Sequence, residues 1–201
     1  MKLSILIPVH INHLLMFNEL LINLQSQIKR LGVQKEVEIV TIVDSGEITL
    51  GEKRNQLVNK SKGDYLVSVD ADDTVTENYV ERLLEAIKEK SDVINYTVAV
   101  SLNGGEYKPC YYRKGYQQDF NIHESYHRLP NHICCVKREI AIQVPYDNVA
   151  YGEDAIYSKK LRPFLKTETN IDEVLYYYNF NVQTSESQKH LRNGNRHIHT
   201  K

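Results

Sequence analysis

Three short apolar runs, at residues 3–8, 37–43 and 65–69, alternate with segments of helical periodicity, and that alternation admits few folds. Strands joined through helices run parallel, because a parallel neighbour needs a long crossover, and such crossovers are right-handed. Between the first two runs, Leu14, Phe17, Leu21, Leu24, Ile28 and Leu31 recur along one helix face, and Gly32 ends that helix. Residues 51–62 predict a second helix, closed by Gly63. The chain has 201 residues, enough for one α/β domain with a sizeable core.

The third run leads straight into Asp70-Ala71-Asp72-Asp73. Thr74 and Glu77 then have capping-box spacing for a helix buried through Val80, Leu83, Leu84 and Ile87. Residues 92–102 read as a fourth strand, Asn103-Gly104-Gly105 as a turn, and residues 107–113 as a hairpin partner. Residues 115–128 read as a polar loop with one strand. A short strand at 133–136, a helical turn at 138–142, a helix at 153–164 and a late strand at 171–180 follow. The tail from Thr184 is polar and carries His190, Arg192, Arg196, His197 and His199.

Bulk properties exclude some functions. The formal net charge of −1 argues against a partner held mainly through nucleic-acid phosphates. Cys110, Cys134 and Cys135 form no CxxC pair, so they are read as buried or half-buried thiols in a reducing compartment. The N-terminal apolar run meets Pro8 too early for a secretory signal, and no stretch has the length of a membrane span. The expectation is a cytoplasmic protein, at most peripheral at a membrane face.

In an open α/β sheet, ligands bind beyond the carboxyl ends of the strands. Asp70, Asp72 and Asp73 stand at such an end, and strand alternation aims Asp70 and Asp72 the same way. Crowded carboxylates repel unless a cation sits among them, and oxygen ligands favour Mg²⁺ or Mn²⁺, which would in turn hold a diphosphate. The plain alternative is that Asp72 or Asp73 caps the next helix.

With these segments in order, the chain resembles a family 2 glycosyltransferase of the GT-A fold. The likeness rests on the opening strand at residues 3–9, the strand ending in Asp44-Ser45-Gly46, and Lys53-Arg54-Asn55 leading through Lys62-Gly63-Asp64-Tyr65 to the Asp-x-Asp block at Asp70-Ala71-Asp72-Asp73. It is completed by Tyr151-Gly152-Glu153-Asp154 before a helix. The resemblance implies an α/β, Rossmann-like, mostly parallel sheet flanked by helices, with a small antiparallel acceptor-side part. One domain would span residues 1–183, with residues 1–102 binding the nucleotide-sugar and 103–183 forming the acceptor side, followed by the tail at 184–201.

It also implies an inverting transfer from a nucleotide-sugar, a UDP-sugar above all, to an acceptor hydroxyl. Pro8, Val9, His10 and Asp44 would line the base site, Asp44 by accepting from an imide N–H; otherwise Asp44 is a turn residue. Arg54 and Asn55 would lie near the base or the pyrophosphate, or else are helix-surface groups. Asp70 and Ala71 would contact the donor, and Asp72 with Asp70 would hold Mn²⁺ or Mg²⁺. Asp154 would be the general base, with Glu153 orienting the acceptor or a loop; the alternative for both is an acidic first helical turn. Asn131 and His132 fall on the acceptor side. Tyr176, Tyr177 and Tyr178 resemble the family's late aromatic strand and read as core before sugar platform. The acceptor would be a glycan, a lipid-linked sugar, a protein side chain or a modified nucleobase, and a chain short for the family fits a compact bacterial or viral enzyme. A nucleotidyltransferase or a non-catalytic sugar-nucleotide module are the competing readings.

Overall fold

A computed structural model describes residues 1–149 and 152–181. The parallel heart of the fold is β1 (Leu3–His10), flanked by β2 (Val37–Asp44) and β3 (Tyr65–Ser68). β1 pairs parallel with both, Leu3 standing opposite Val37 and Tyr65. Its side chains are buried from Leu3 to Val9, as a central parallel strand covered on both faces requires.

α1 (Leu14–Leu31) buries Phe17, Leu20, Leu24 and Ile28 against the sheet and ends at Gly32, whose φ of 68° is a left-handed cap. α2 (Leu50–Lys60) starts at Thr49, whose hydroxyl accepts the Glu52 N–H at 3.2 Å. It ends at Ser61 in extended conformation, so Gly63 is not the expected cap. Gly63 instead lets the chain pass close to β1: a Cβ there would stand 2.6 Å from the Ser4 backbone nitrogen.

The expected capping box is also absent. Thr74 belongs to a short strand, β4 (Thr74–Val75), and α3 (Tyr79–Ile87) begins after Asn78. Tertiary contacts override the local signal there. Gln27 of α1 donates to the Thr76 carbonyl and accepts from the Val80 N–H, while Asn23 donates to the Val75 carbonyl.

β5 (Val93–Leu102) pairs antiparallel with β6 (Lys108–Tyr112), the expected hairpin. Residues 115–128 hold two strands, β7 (Phe120–Ile122) and β8 (Ser125–Arg128), where one was expected. β9 (Cys135–Lys137) enters antiparallel between β3 and β5. α4 (Arg138–Ala141) and α5 (Glu153–Leu161) follow. β10 (Glu168–Phe180) runs parallel to β5 and antiparallel to β4. Among the described residues the ten strands make one sheet, with the path β2-β1-β3-β9-β5-β6-β8-β7. The result is the expected α/β sheet, parallel across β2, β1 and β3, with antiparallel pairing from β9 onward except where β6 meets β8 and β5 meets β10. No described helix is long and apolar enough to cross a membrane.

Candidate active site

β1 and β2 end together, His10 opposite Asp44, while β3 stops at Ser68 opposite Leu6 and a turn continues from it. Pro8 and Val9 are buried, and Val9 offers its backbone carbonyl to the Lys53 ammonium at 3.1 Å. The same ammonium pairs with Asp44, whose side chain is buried. Lys53, for which the motif suggested no role, therefore fixes the acid expected to face the base. His10 is half-exposed at the strand end, its Nδ1 accepting the Asn12 N–H.

The strand-alternation argument for Asp70 and Asp72 fails, because β3 ends at Ser68 and a turn carries the aspartates. They point apart. Asp70 turns inward: Oδ1 accepts from Arg54 Nη2 at 2.8 Å and Oδ2 lies 3.3 Å from His132 Nε2. Burial alone would push the Asp70 carboxyl up, but the guanidinium and the imidazole hold it far below the usual range. Asp72 turns outward, with 48% of its side chain exposed and Oδ2 3.6 Å from His13 Nδ1. Partial burial and the Asp70 charge push its carboxyl up. Ala71 between them is buried. Asp73 is buried and accepts from the Tyr176 hydroxyl at 2.6 Å, which in turn accepts the Asp70 N–H at 3.2 Å. Burial, then Asp70, push the Asp73 carboxyl well up.

Arg54 is not a helix-surface charge: it is 2% exposed. Its Nη2 holds Asp70 and its Nε lies 3.4 Å from Glu153 Oε1, so one guanidinium ties the Asp-x-Asp block to the Glu-Asp pair. Asn55 departs from the expectation of a place near the donor. Its amide donates to the Tyr146 carbonyl at 2.9 Å and accepts the Tyr146 N–H at 2.8 Å, clamping the chain before α5. A helix aims successive residues about 100° apart, so Asn55 does not follow Arg54 toward Asp70.

Glu153 and Asp154 do open α5, as the acidic-turn reading also held. Glu153 is buried; Asp154 is half-buried, its Oδ1 accepting the Ala155 N–H at 2.8 Å. His132, expected on the acceptor side, is buried against Asp70, and Asn131 accepts the Ile133 N–H in the turn beside it. Tyr176 is core with a polar tip. Tyr178 is half-buried, and its hydroxyl is pushed up by burial and by Asp73, Asp70, Asp72 and Asp154. Tyr177 faces Tyr107 edge-on at 5.4 Å. Tyr151 and the tail residues His190, Arg192, Arg196, His197 and His199 lie outside the described residues.

Sequence reasoning missed Lys53, His13 and Tyr176. The first is adjacent to Arg54 in the motif, and the other two become visible only when the turn after β3 is placed. Carboxylates outnumber cations here: Lys53 pairs with Asp44 and Arg54 with Asp70 and Glu153, while Asp72 lies beside His13, Asp73 accepts from Tyr176 and Asp154 from the Ala155 N–H. Among the described residues no ready cluster of three metal-ligating side chains exists. The outward Asp72 carboxylate is an oxygen donor of the kind that hard cations take.

Known proteins match this chain in family and in fold. The profile described as Glycosyl transferase family 2 matches residues 22–144. No curated protein sequence matches the chain. Among solved structures, S. aureus TarS 1–349 in complex with UDP is similar at a TM-score of 0.68 and 17% identity, covering 91% of this chain and 62% of that one. TarS 1–349 in complex with UDP-GlcNAc is similar at 0.65 and 16%, covering 94% and 61%. S. aureus TarS itself is similar at 0.63 and 16%, covering 90% and 37%. The chain thus spans at most about three fifths of these structures, and the likeness to them is one of fold.

Proposed function

The chain belongs to glycosyl transferase family 2, and from that premise we propose that it transfers a sugar, with inversion, from a UDP-sugar to an acceptor hydroxyl. The TarS structures that share the fold were solved with UDP and UDP-GlcNAc, which supports a uridine donor here. The observation that carries the proposal is the Arg54 guanidinium, which joins Asp70 of the Asp-x-Asp block at 2.8 Å to Glu153 of the Glu-Asp pair at 3.4 Å, from segments about eighty residues apart.

In this reading the uracil sits at the ends of β1 and β2, where Lys53 presents Asp44 as acceptor for the imide N–H. Asp72 would hold a divalent ion, Mn²⁺ or Mg²⁺, with Asp70 supporting the turn from within. Two negative phosphates entering an acidic cleft need such a cation, and when bound it takes up charge on the departing diphosphate. Arg54 and His132 keep Asp70 ionised and in place. Asp154 accepts the proton of the acceptor hydroxyl as its oxygen attacks the anomeric carbon. The bond from that carbon to the diphosphate oxygen breaks, and its electron pair leaves with UDP.

Release of UDP from UDP-GlcNAc and other UDP-sugars with Mn²⁺, water serving as acceptor, tests the proposal. Wild type should turn over. Asp72→Asn should lose both turnover and metal-dependent UDP binding, whereas Asp154→Asn should keep UDP binding and lose about 10²–10⁴-fold in rate. A wild type that binds no UDP, or an Asp72→Asn variant as active as wild type, overturns it.

A further inference from the structure

Arg54 brings together three segments: α2, the turn after β3 and the first turn of α5. It is one cation between two carboxylates. Its Nη2 donates to Asp70 at 2.8 Å, its Nε to Glu153 at 3.4 Å, and its Nη1 is buried without a hydrogen-bond partner. Its guanidinium also lies 6.0 Å from the Tyr146 ring centre. A lysine ammonium is a point charge and cannot face two carboxylates through separate, rigidly spaced N–H groups; the planar guanidinium can.

The receiving end has a feature that makes this link consequential. α5 starts at Gly152, φ 81°, with no side-chain cap on its first turn. Glu153, buried at the first helical position, meets Arg54 instead. Asp154 follows directly, its carboxylate held on the Ala155 N–H of the same turn. The direction of Asp154 is therefore set by a turn anchored through Glu153 to the guanidinium that holds Asp70.

We infer that Arg54 is a positioning residue that couples occupancy of the donor side, sensed at Asp70, to the placement of Asp154 on the acceptor side. This rests on the glycosyl-transfer reading above, since it presumes a donor beside the Asp-x-Asp block. When a UDP moiety and its cation draw on the Asp70–Asp72 turn, Asp70 shifts its hold on Arg54, Arg54 shifts Glu153, and the first turn of α5 follows.

A double-mutant cycle tests the coupling, because a link carried by Arg54 disappears when Arg54 is replaced. UDP with Mn²⁺ is titrated calorimetrically into wild type, Glu153→Gln, Arg54→Met and the double variant. Glu153→Gln should change the UDP Kd by about threefold or more in the wild-type background and leave it unaltered beside Arg54→Met. Hydrogen exchange adds a second readout: UDP should slow exchange at residues 153–156 in wild type and not in Arg54→Lys. Arg54→Lys keeps the charge, and it replaces Arg54→Met in the cycle should the latter not fold. Identical effects of Glu153→Gln in both backgrounds, or exchange at 153–156 slowed equally in Arg54→Lys, overturn the coupling while leaving glycosyl transfer standing. A wild type that binds no UDP sinks both.

Discussion

At the residue scale, the site is a problem of housing negative charge. Asp73 is buried, and its side chain accepts from the Tyr176 hydroxyl, itself buried. Tyr176→Phe removes that donor and also orphans the Asp70 N–H that the hydroxyl accepts. Leaving such buried groups unsatisfied costs about 1–3 kcal/mol. Urea unfolding of Tyr176→Phe should therefore show a lower midpoint with an unchanged slope, and UDP affinity should fall because the Asp-x-Asp turn loses a support. An unshifted midpoint would mean that water or another group replaces the hydroxyl. None of this was legible in the run Tyr176-Tyr177-Tyr178. Alternation placed every other ring inward, but the partner of Tyr176 comes from a turn about a hundred residues earlier.

At the element scale, the end of the sheet away from the cleft is pinned by one side chain. Asp92 accepts from Lys137 Nζ at 3.0 Å and from the Lys166 and Thr167 N–H groups at 2.8 and 3.0 Å, binding the starts of β5 and β10 to β9. Partial burial pushes its carboxyl up, but these three donors prevail and hold it below its ordinary value. A carboxyl with a lowered folded pKa contributes stability that is present above the unfolded value, roughly 3.9, and is lost as pH falls through the folded value. Asp92→Asn should thus lower the urea midpoint at pH 7, and the gap to wild type should narrow as pH drops below about 4. A gap independent of pH would show that the amide loses shape complementarity, not charge. The sequence marked residue 92 only as the start of a strand; its anchoring role depends on β9 and β10 arriving beside it.

At the scale of the whole molecule, the division at residue 102 separates two stretches of chain but not two bodies. β10, from the second stretch, lies against β5 and β4 from the first and delivers the Tyr176 hydroxyl to Asp73 and the Asp70 N–H. Ligand binding at the cleft should therefore stabilise the sheet as a unit. UDP with Mn²⁺ at a hundredfold excess over Kd should add about 2.7 kcal/mol, which for a chain of this size is roughly 5–10 °C in Tm. EDTA should abolish the shift. A shift of the same size without any divalent ion would show that the diphosphate enters the acidic cleft unaided.

The sequence by itself determined the alternation of strands and helices, the parallel pairing of the first three strands, and the end of the sheet at which the acidic residues gather. Those properties follow from periodicity and local chain geometry, which neighbours in sequence specify. Only the tertiary structure decided that Asp70 turns inward while Asp72 faces out, that Asn55 clamps Tyr146, that Gly63 makes room for β1, and that Arg54 stands between Asp70 and Glu153. Each of these depends on partners brought together by packing from distant segments. A buried charge takes its direction from the counter-charge the fold provides, and periodicity carries no record of it.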